Sequence, residues 1–79
     1  MEITPAQCRA ARALLNWSQT QLEASSRVAK KTIADFEREA RSPYPRTIEA
    51  ICTALETAGV EFIAENGGGA GVRLRKDKA

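Results

Sequence analysis

The stretch Trp17–Pro43, WSQTQLEASSRVAKKTIADFEREARSP, decides the fold. Ser18 is placed to cap a helix, because its hydroxyl can accept from free backbone N–H groups of the first turn. Gln21, three residues on, can reach back to the Ser18 N–H and complete a capping box. Trp17 and Leu22 occupy the two positions of a hydrophobic staple, which fixes the angle of chain entry. Ser25, Ser26 and Arg27 interrupt this helix, and a second one from about Ala29 repeats the staple with Val28 and Ile33. Phe36 continues the inward face, whereas Lys30, Lys31, Ala34, Asp35 and Arg38 fall on the other side. Two short helices at a steep angle, the second with a cationic outer face, can place a row of side chains in a DNA major groove.

Outward from this stretch the signals stay helical until residue 59. Thr4 is a good N-cap, Pro5 suits the first helical position, and Gln7 completes another capping box, with Ile3 and Cys8 as staple. Cys8, Ala11, Leu14 and Leu15 form the apolar stripe of this first helix. A fourth helix begins near Pro45 and carries Ile48, Ile51, Cys52 and Leu55 at i, i+3, i+4 and i+7. Gly59 ends it as a left-handed cap. From Val60 the period becomes alternating. Residues 60–63 and 72–75 read as two strands around Asn66–Gly71, and residues 76–79 as a frayed tail. The glycine run lacks a following Gly-Lys-Ser/Thr and a following helix, so it reads as a hairpin tip, not a phosphate cradle.

With 79 residues the chain buries only roughly 60–65% of its unfolded surface, so one small core gives marginal stability and self-association is plausible. The composition, 43% hydrophobic and 28% charged, is that of a soluble protein. No apolar run approaches a membrane span and no signal peptide is evident, so a cytoplasmic protein is expected. Two cysteines without metal-ligand spacing read as buried thiols, and no histidine is present. No metal, no cofactor and no enzymatic activity are expected. The net charge of +2 is unevenly spread. Residues 27–46 hold six basic groups against three acidic ones, whereas residues 1–26 balance and residues 47–79 are slightly acidic. A local cationic excess suits a phosphate backbone, although a merely solvated face has the same signature.

In register and without a gap, Trp17-Ser18-Gln19, Leu22, Val28, Thr32-Ile33 and Glu37, followed by Arg41 and Pro43, resemble the Cro/repressor-type helix-turn-helix domains, also called XRE or λ-repressor-like. The resemblance covers about residues 3–59. It implies a mainly α bundle of about four helices, residues 1–59, and the tail resembles a bacterial subgroup with a short C-terminal β-hairpin, here residues 60–79. Ala11-Arg12 looks like the family's Ala-Arg pair, which implies a partly buried ion pair between Arg12 and Glu37. The resemblance assigns base reading to Ala29, Lys30, Lys31, Ala34 and Asp35. Lysine can donate to guanine, the Ala34 methyl can meet thymine, and Asp35 could accept from cytosine. Asp35 could equally pair with Lys31 at i, i+4. Gln19 looks like the family's phosphate-contacting glutamine. Arg27, Arg38, Arg41, Tyr44 and Arg46 are phosphate candidates that position without reading sequence, and Arg27 could equally be a solvated turn residue.

Three residues depart from the family pattern. Glu23 stands where the helices approach closely and alanine is usual, so it must bend outward or open that approach. Arg27 replaces a turn glycine that commonly needs positive φ, at about 1 kcal/mol. Ala29 replaces the usual serine cap of the second motif helix, a loss of typically about 1 kcal/mol. The function implied is a sequence-specific transcriptional regulator that binds double-stranded DNA as a homodimer on a two-fold operator, its own promoter being one candidate target. The competing reading is a protein-interaction module, an antitoxin or antiactivator that has kept the fold. The hairpin residues Val60, Phe62, Val72 and Leu74 make an alternating apolar face expected to supply the dimer contact. No small-molecule effector is expected, since nothing follows the hairpin to bind one.

Overall fold

A computed structural model describes residues 2–76. Four helices, α1 (Pro5–Leu15), α2 (Gln19–Ser26), α3 (Lys30–Glu37) and α4 (Pro45–Thr57), precede two strands, β1 (Val60–Ile63) and β2 (Gly71–Leu74). Both capping boxes form. Thr4 Oγ1 accepts from the Gln7 N–H at 3.1 Å, and Ser18 Oγ accepts from the Gln21 N–H at 3.1 Å. Each glutamine returns the bond to its N-cap amide. Gly59 follows α4 at φ 117°, as a left-handed stop requires.

The core joins all these elements. Ile3, Cys8, Ala11, Leu22, Val28, Ile33, Phe36, Ile48, Ile51, Cys52, Leu55 and Val60 are buried together, with Trp17, Phe62 and Val72 packed against them. The apolar periodicities of α3 and α4 therefore point where their spacing places them. Leu14 does not; it is 40% exposed, because Cys8, Ala11 and Leu15 define the buried line and Leu14 lies at its rim. No helix among the described residues is long and apolar enough to cross a membrane.

The hairpin is antiparallel with Val60 opposite Leu74, Glu61 opposite Arg73, Phe62 opposite Val72 and Ile63 opposite Gly71. The second strand thus begins one residue earlier than the alternation suggested. Val60, Phe62, Val72 and Leu74 share a face, and that face lies on α1 and α4 of the same chain. Glu61 and Arg73 pair in a double hydrogen bond on the other face. The hairpin tip lies outside the helices' reach, but its base is clamped. The Gln7 side chain is buried, and its Nε2 donates to the carbonyls of Ile63 and Gly71 at 3.3 and 3.0 Å. Gln7 therefore caps α1 with its oxygen and docks the hairpin with its nitrogen. Replacing Gln7 by Leu should cost about 1–3 kcal/mol, because these backbone groups lose their partner. Amide exchange should then accelerate selectively at residues 60–63 and 71–74; uniform acceleration would show that the clamp does not hold the hairpin separately.

Candidate nucleic-acid interface

Arg27 closes α2 in the left-handed conformation, φ 62° and ψ 23°, and its N–H donates to the Glu23 carbonyl at 2.8 Å. The missing glycine is thus accommodated by strain, not by a different turn. Ser26 braces the same corner, donating to the Leu22 carbonyl and accepting from the Val28 N–H. Four residues after α2 ends, α3 starts at Lys30.

On α3, Ile33 and Phe36 face the core, which turns Lys30 and Lys31 outward at the start of the helix with Ala34 half-buried a turn later. Ala29 is exposed and provides no side-chain cap. After α3, Arg41, Tyr44 and Arg46 are all exposed, and Tyr44 at 82% is by far the most exposed large apolar side chain. A shallow trough lies between α3 and this loop, lined by Lys31, Thr32, Arg41 and Tyr44 among others. The Lys31 ammonium on one wall, with Arg41 and the Tyr44 ring on the other, gives a surface that suits a polyanion with stackable or groove-facing edges.

Asp35 also lines this trough, but its carboxylate is engaged within the chain. It is buried to 7% exposure, and its carboxylate accepts from Arg38 Nη2 at 3.0 Å and Lys31 Nζ at 3.4 Å. The Arg38 guanidinium, with Lys31 beside it, holds this carboxyl below the usual carboxylate range despite burial. The Asp35 carbonyl also accepts from the N–H groups of Ala40 and Arg41. Asp35 therefore shapes the exit from α3 and pairs with Lys31, the i, i+4 alternative to base reading that its spacing offers, and with Arg38. Glu39 completes this exit at φ 61°, a left-handed residue that nothing in its side chain announces.

Behind α3 lies a polar cluster around Glu37. Arg12 Nε and Nη2 donate to Oε2 and Oε1 of Glu37, both at 2.7 Å, a two-pronged pair linking α1 to α3. Arg12 Nη1 also donates to the Trp17 carbonyl at 3.0 Å. Gln19 Nε2 donates to Glu37 Oε1 at 3.0 Å, so this amide is held inside the cluster. Cys8 Sγ donates to Oε2 at 3.0 Å, and Arg9 donates to the Glu37 carbonyl. Burial raises the Glu37 carboxyl, but hydrogen bonds from Arg12, Cys8 and Gln19 outweigh it and leave the group below its ordinary value. Burial, then the bond to Glu37, pushes the Cys8 thiol far above its usual range, so it remains a protonated donor. Spacing does not announce the thiol's place beside a carboxylate, nor Arg9's at the end of α3. Both face a residue 28 or 29 positions away, which periodicity does not reveal.

Of the hairpin residues, Val60 is wholly buried in the chain's own core. Phe62 and Val72 are half-buried against the same core, which leaves Leu74, at 45% exposure, as the apolar residue of the set that faces solvent. The reason is size: a domain this small needs the hairpin's inner face to cover α1 and α4.

No curated protein matches the chain at a significant level. A helix-turn-helix family model matches residues 9–62, which runs from within α1 into β1 and includes the exposed cations of α3 and the loop after it. With two short helices joined at the Arg27 corner, the first closed by a capping box and the second turning lysines to solvent, the chain belongs to the Cro/repressor-type helix-turn-helix family of DNA-binding regulators.

Proposed function

We propose that the protein is a sequence-specific transcriptional regulator that sets α3 into the major groove of a two-fold operator as a homodimer. The observation that carries this reading is the outward pair Lys30 and Lys31, with Arg41 and Tyr44 across the trough from Lys31 and Arg46 exposed on the first turn of α4. In this reading Lys30, Lys31 and Ala34 meet base edges from the start of α3, with Ala29 at the helix entry. Arg27, Arg38, Arg41, Tyr44 and Arg46 meet phosphates on either side, and Gln19 approaches the backbone from the start of α2. Glu23, Arg27 and Asp35 are the residues that favour the competing reading, a protein-interaction module that has kept the fold; Glu23 and Asp35 are engaged with the Lys30 N–H and with Arg38 inside this fold. The regulator would work in the bacterial cytoplasm on neighbouring genes, its own promoter among them. Selection from random duplex DNA tests the reading. A two-fold consensus should emerge, and a pool with no enriched sequence would contradict it.

The dimer contact in this proposal falls to the exposed end of the hairpin's apolar face, where Leu74 reaches solvent, and to the unpaired strand edges beside it. Pairing must bring two α3 helices about 34 Å apart along one face of the duplex. Because Val60 belongs to the core, removing the hairpin would damage the monomer; Leu74→Glu is the cleaner probe. It should yield monomers of undiminished helical content that bind half-sites far better than they bind full operators in pairs. A Leu74→Glu protein that still sediments as a dimer would move the interface to another face.

A further inference from the structure

The second motif helix begins at Ala29 without a side-chain cap, yet its first amide is not left to solvent. Glu23, on the last turn of α2, sends Oε2 to the Lys30 N–H at 3.0 Å. The same residue's carbonyl accepts from the Arg27 N–H at 2.8 Å. One residue thus grips the turn at both ends: its backbone fixes the left-handed Arg27, and its side chain catches the first helical residue of α3. We propose that Glu23 is a positioning residue for operator recognition, a cap supplied from the preceding helix that sets where Lys30 and Lys31 meet DNA and penalises badly docked duplexes. The proposal rests on the reading that α3 enters a DNA groove.

The two unusual residues of the motif explain each other. Ala29 has no oxygen to accept from the first turn, and α3 has only eight residues, so an uncapped start would fray through the very turn that carries both lysines. Glu23 stands where a small residue would let the helices approach, and its carboxylate instead spans the gap to α3. An acidic group also suits the positive end of a helix dipole. A serine at 29 would cap α3 from within and leave it free to pivot on the turn; a cap held by α2 ties the helix angle to the rest of the domain. The carboxylate carries a second consequence. It places a negative charge beside Lys30, so a phosphate drawn toward the start of α3 is repelled unless the duplex docks with its phosphates elsewhere.

Four proteins separate these effects: wild type, Glu23→Gln, Glu23→Ala, and Glu23→Ala with Ala29→Ser. Each is measured in two ways, by amide exchange at Lys30–Ile33 without DNA and by the ratio of affinities for the selected operator and an unrelated duplex. Glu23→Ala should speed exchange in the first turn of α3 and lower the affinity ratio on the order of tenfold. Adding Ala29→Ser should restore protection, because the serine caps the helix from its own N-cap, but should leave the affinity ratio low, because the cap is no longer held by α2. Glu23→Gln keeps an acceptor oxygen and should keep protection, but it should bind unrelated duplex several-fold tighter. A residue acting only on stability would weaken both duplexes alike and leave the ratio unchanged. Unchanged exchange in Glu23→Ala, or an affinity ratio that none of the variants moves, overturns the proposal. If wild type selects no duplex, the DNA reading fails on its own, and the exchange comparison still decides whether Glu23 caps α3.

Discussion

A protein with both Lys30 and Lys31 replaced by Ala should lose nearly all preference for its operator. Each lysine that donates to a base edge contributes about 1–3 kcal/mol of discrimination, so the pair together accounts for a loss on the order of a hundredfold or more. Both side chains are exposed on the first turn of α3, so the fold should tolerate the change. Lys31 has a partner in Asp35 across 3.4 Å, but its own end of the pair is 84% exposed and Asp35 keeps Arg38, so its loss costs little stability. The contrast lies in the loop. Arg41→Ala or Arg46→Ala should weaken operator and unrelated duplex together and reduce the salt slope by about 0.9 for each phosphate no longer neutralised. Fluorescence titrations on the two duplexes read both quantities. A Lys30, Lys31 double variant that keeps its operator preference would take base reading away from the start of α3.

The largest effect on stability should follow removal of Arg12. Glu37 has a side-chain exposure of 4% and Arg12 of 20%, so Arg12→Ala leaves a buried carboxylate with Gln19 and Cys8 as its side-chain donors. Breaking such a pair costs about 3–5 kcal/mol, much of the roughly 4–12 kcal/mol available to a domain of this size. Removing both partners should cost less than the sum of the single losses, and strict additivity in a thermal or urea cycle would mean that the pair is not coupled. The pH dependence has a definite sign. Glu37 is lowered in the folded state, so its contribution is complete above its ordinary value of 4.5 and is lost as the pH falls below that toward the folded value. Asp35, lowered by Arg38, and Glu61, lowered by Arg73, titrate in the same direction. Comparing wild type with Glu37→Gln between about pH 5 and about pH 3 isolates the Glu37 share, and the variant should show the shallower decline.

The helices are legible because local chemistry announces them. Thr4-Pro5 with Gln7, and Ser18 with Gln21, form capping boxes that need no tertiary context, and Ile48, Ile51, Cys52 and Leu55 bury at the intervals their spacing dictates. The hairpin is legible as alternation, but which molecule covers its apolar face is not. That depends on how much of the core the helices leave open, and Val60 filling it is a property of the assembled domain. Asp35 looks outward on a helical wheel, yet it is buried where the chain turns back at Glu39 and brings the Ala40 and Arg41 N–H groups to the Asp35 carbonyl, a turn that helical spacing does not announce. The compensation between Glu23 and Ala29 joins residues on two helices, and neither signal alone points to the other. Sequence reveals whatever a single turn of backbone can decide; it hides the bonds that close between turns.

The most direct measurement of the central claim is the affinity for a selected duplex as a function of salt. If α3 and the Arg41–Arg46 side of the trough hold duplex DNA, the logarithm of the affinity should fall linearly with the logarithm of salt concentration, by about 0.9 per phosphate neutralised, so about four or more neutralised phosphates give a steep decline. The slope should flatten in Arg41→Ala and keep its wild-type value in Lys30→Ala if that lysine meets only a base. An affinity that is insensitive to salt, or that is indifferent to both substitutions, would contradict DNA recognition by this face.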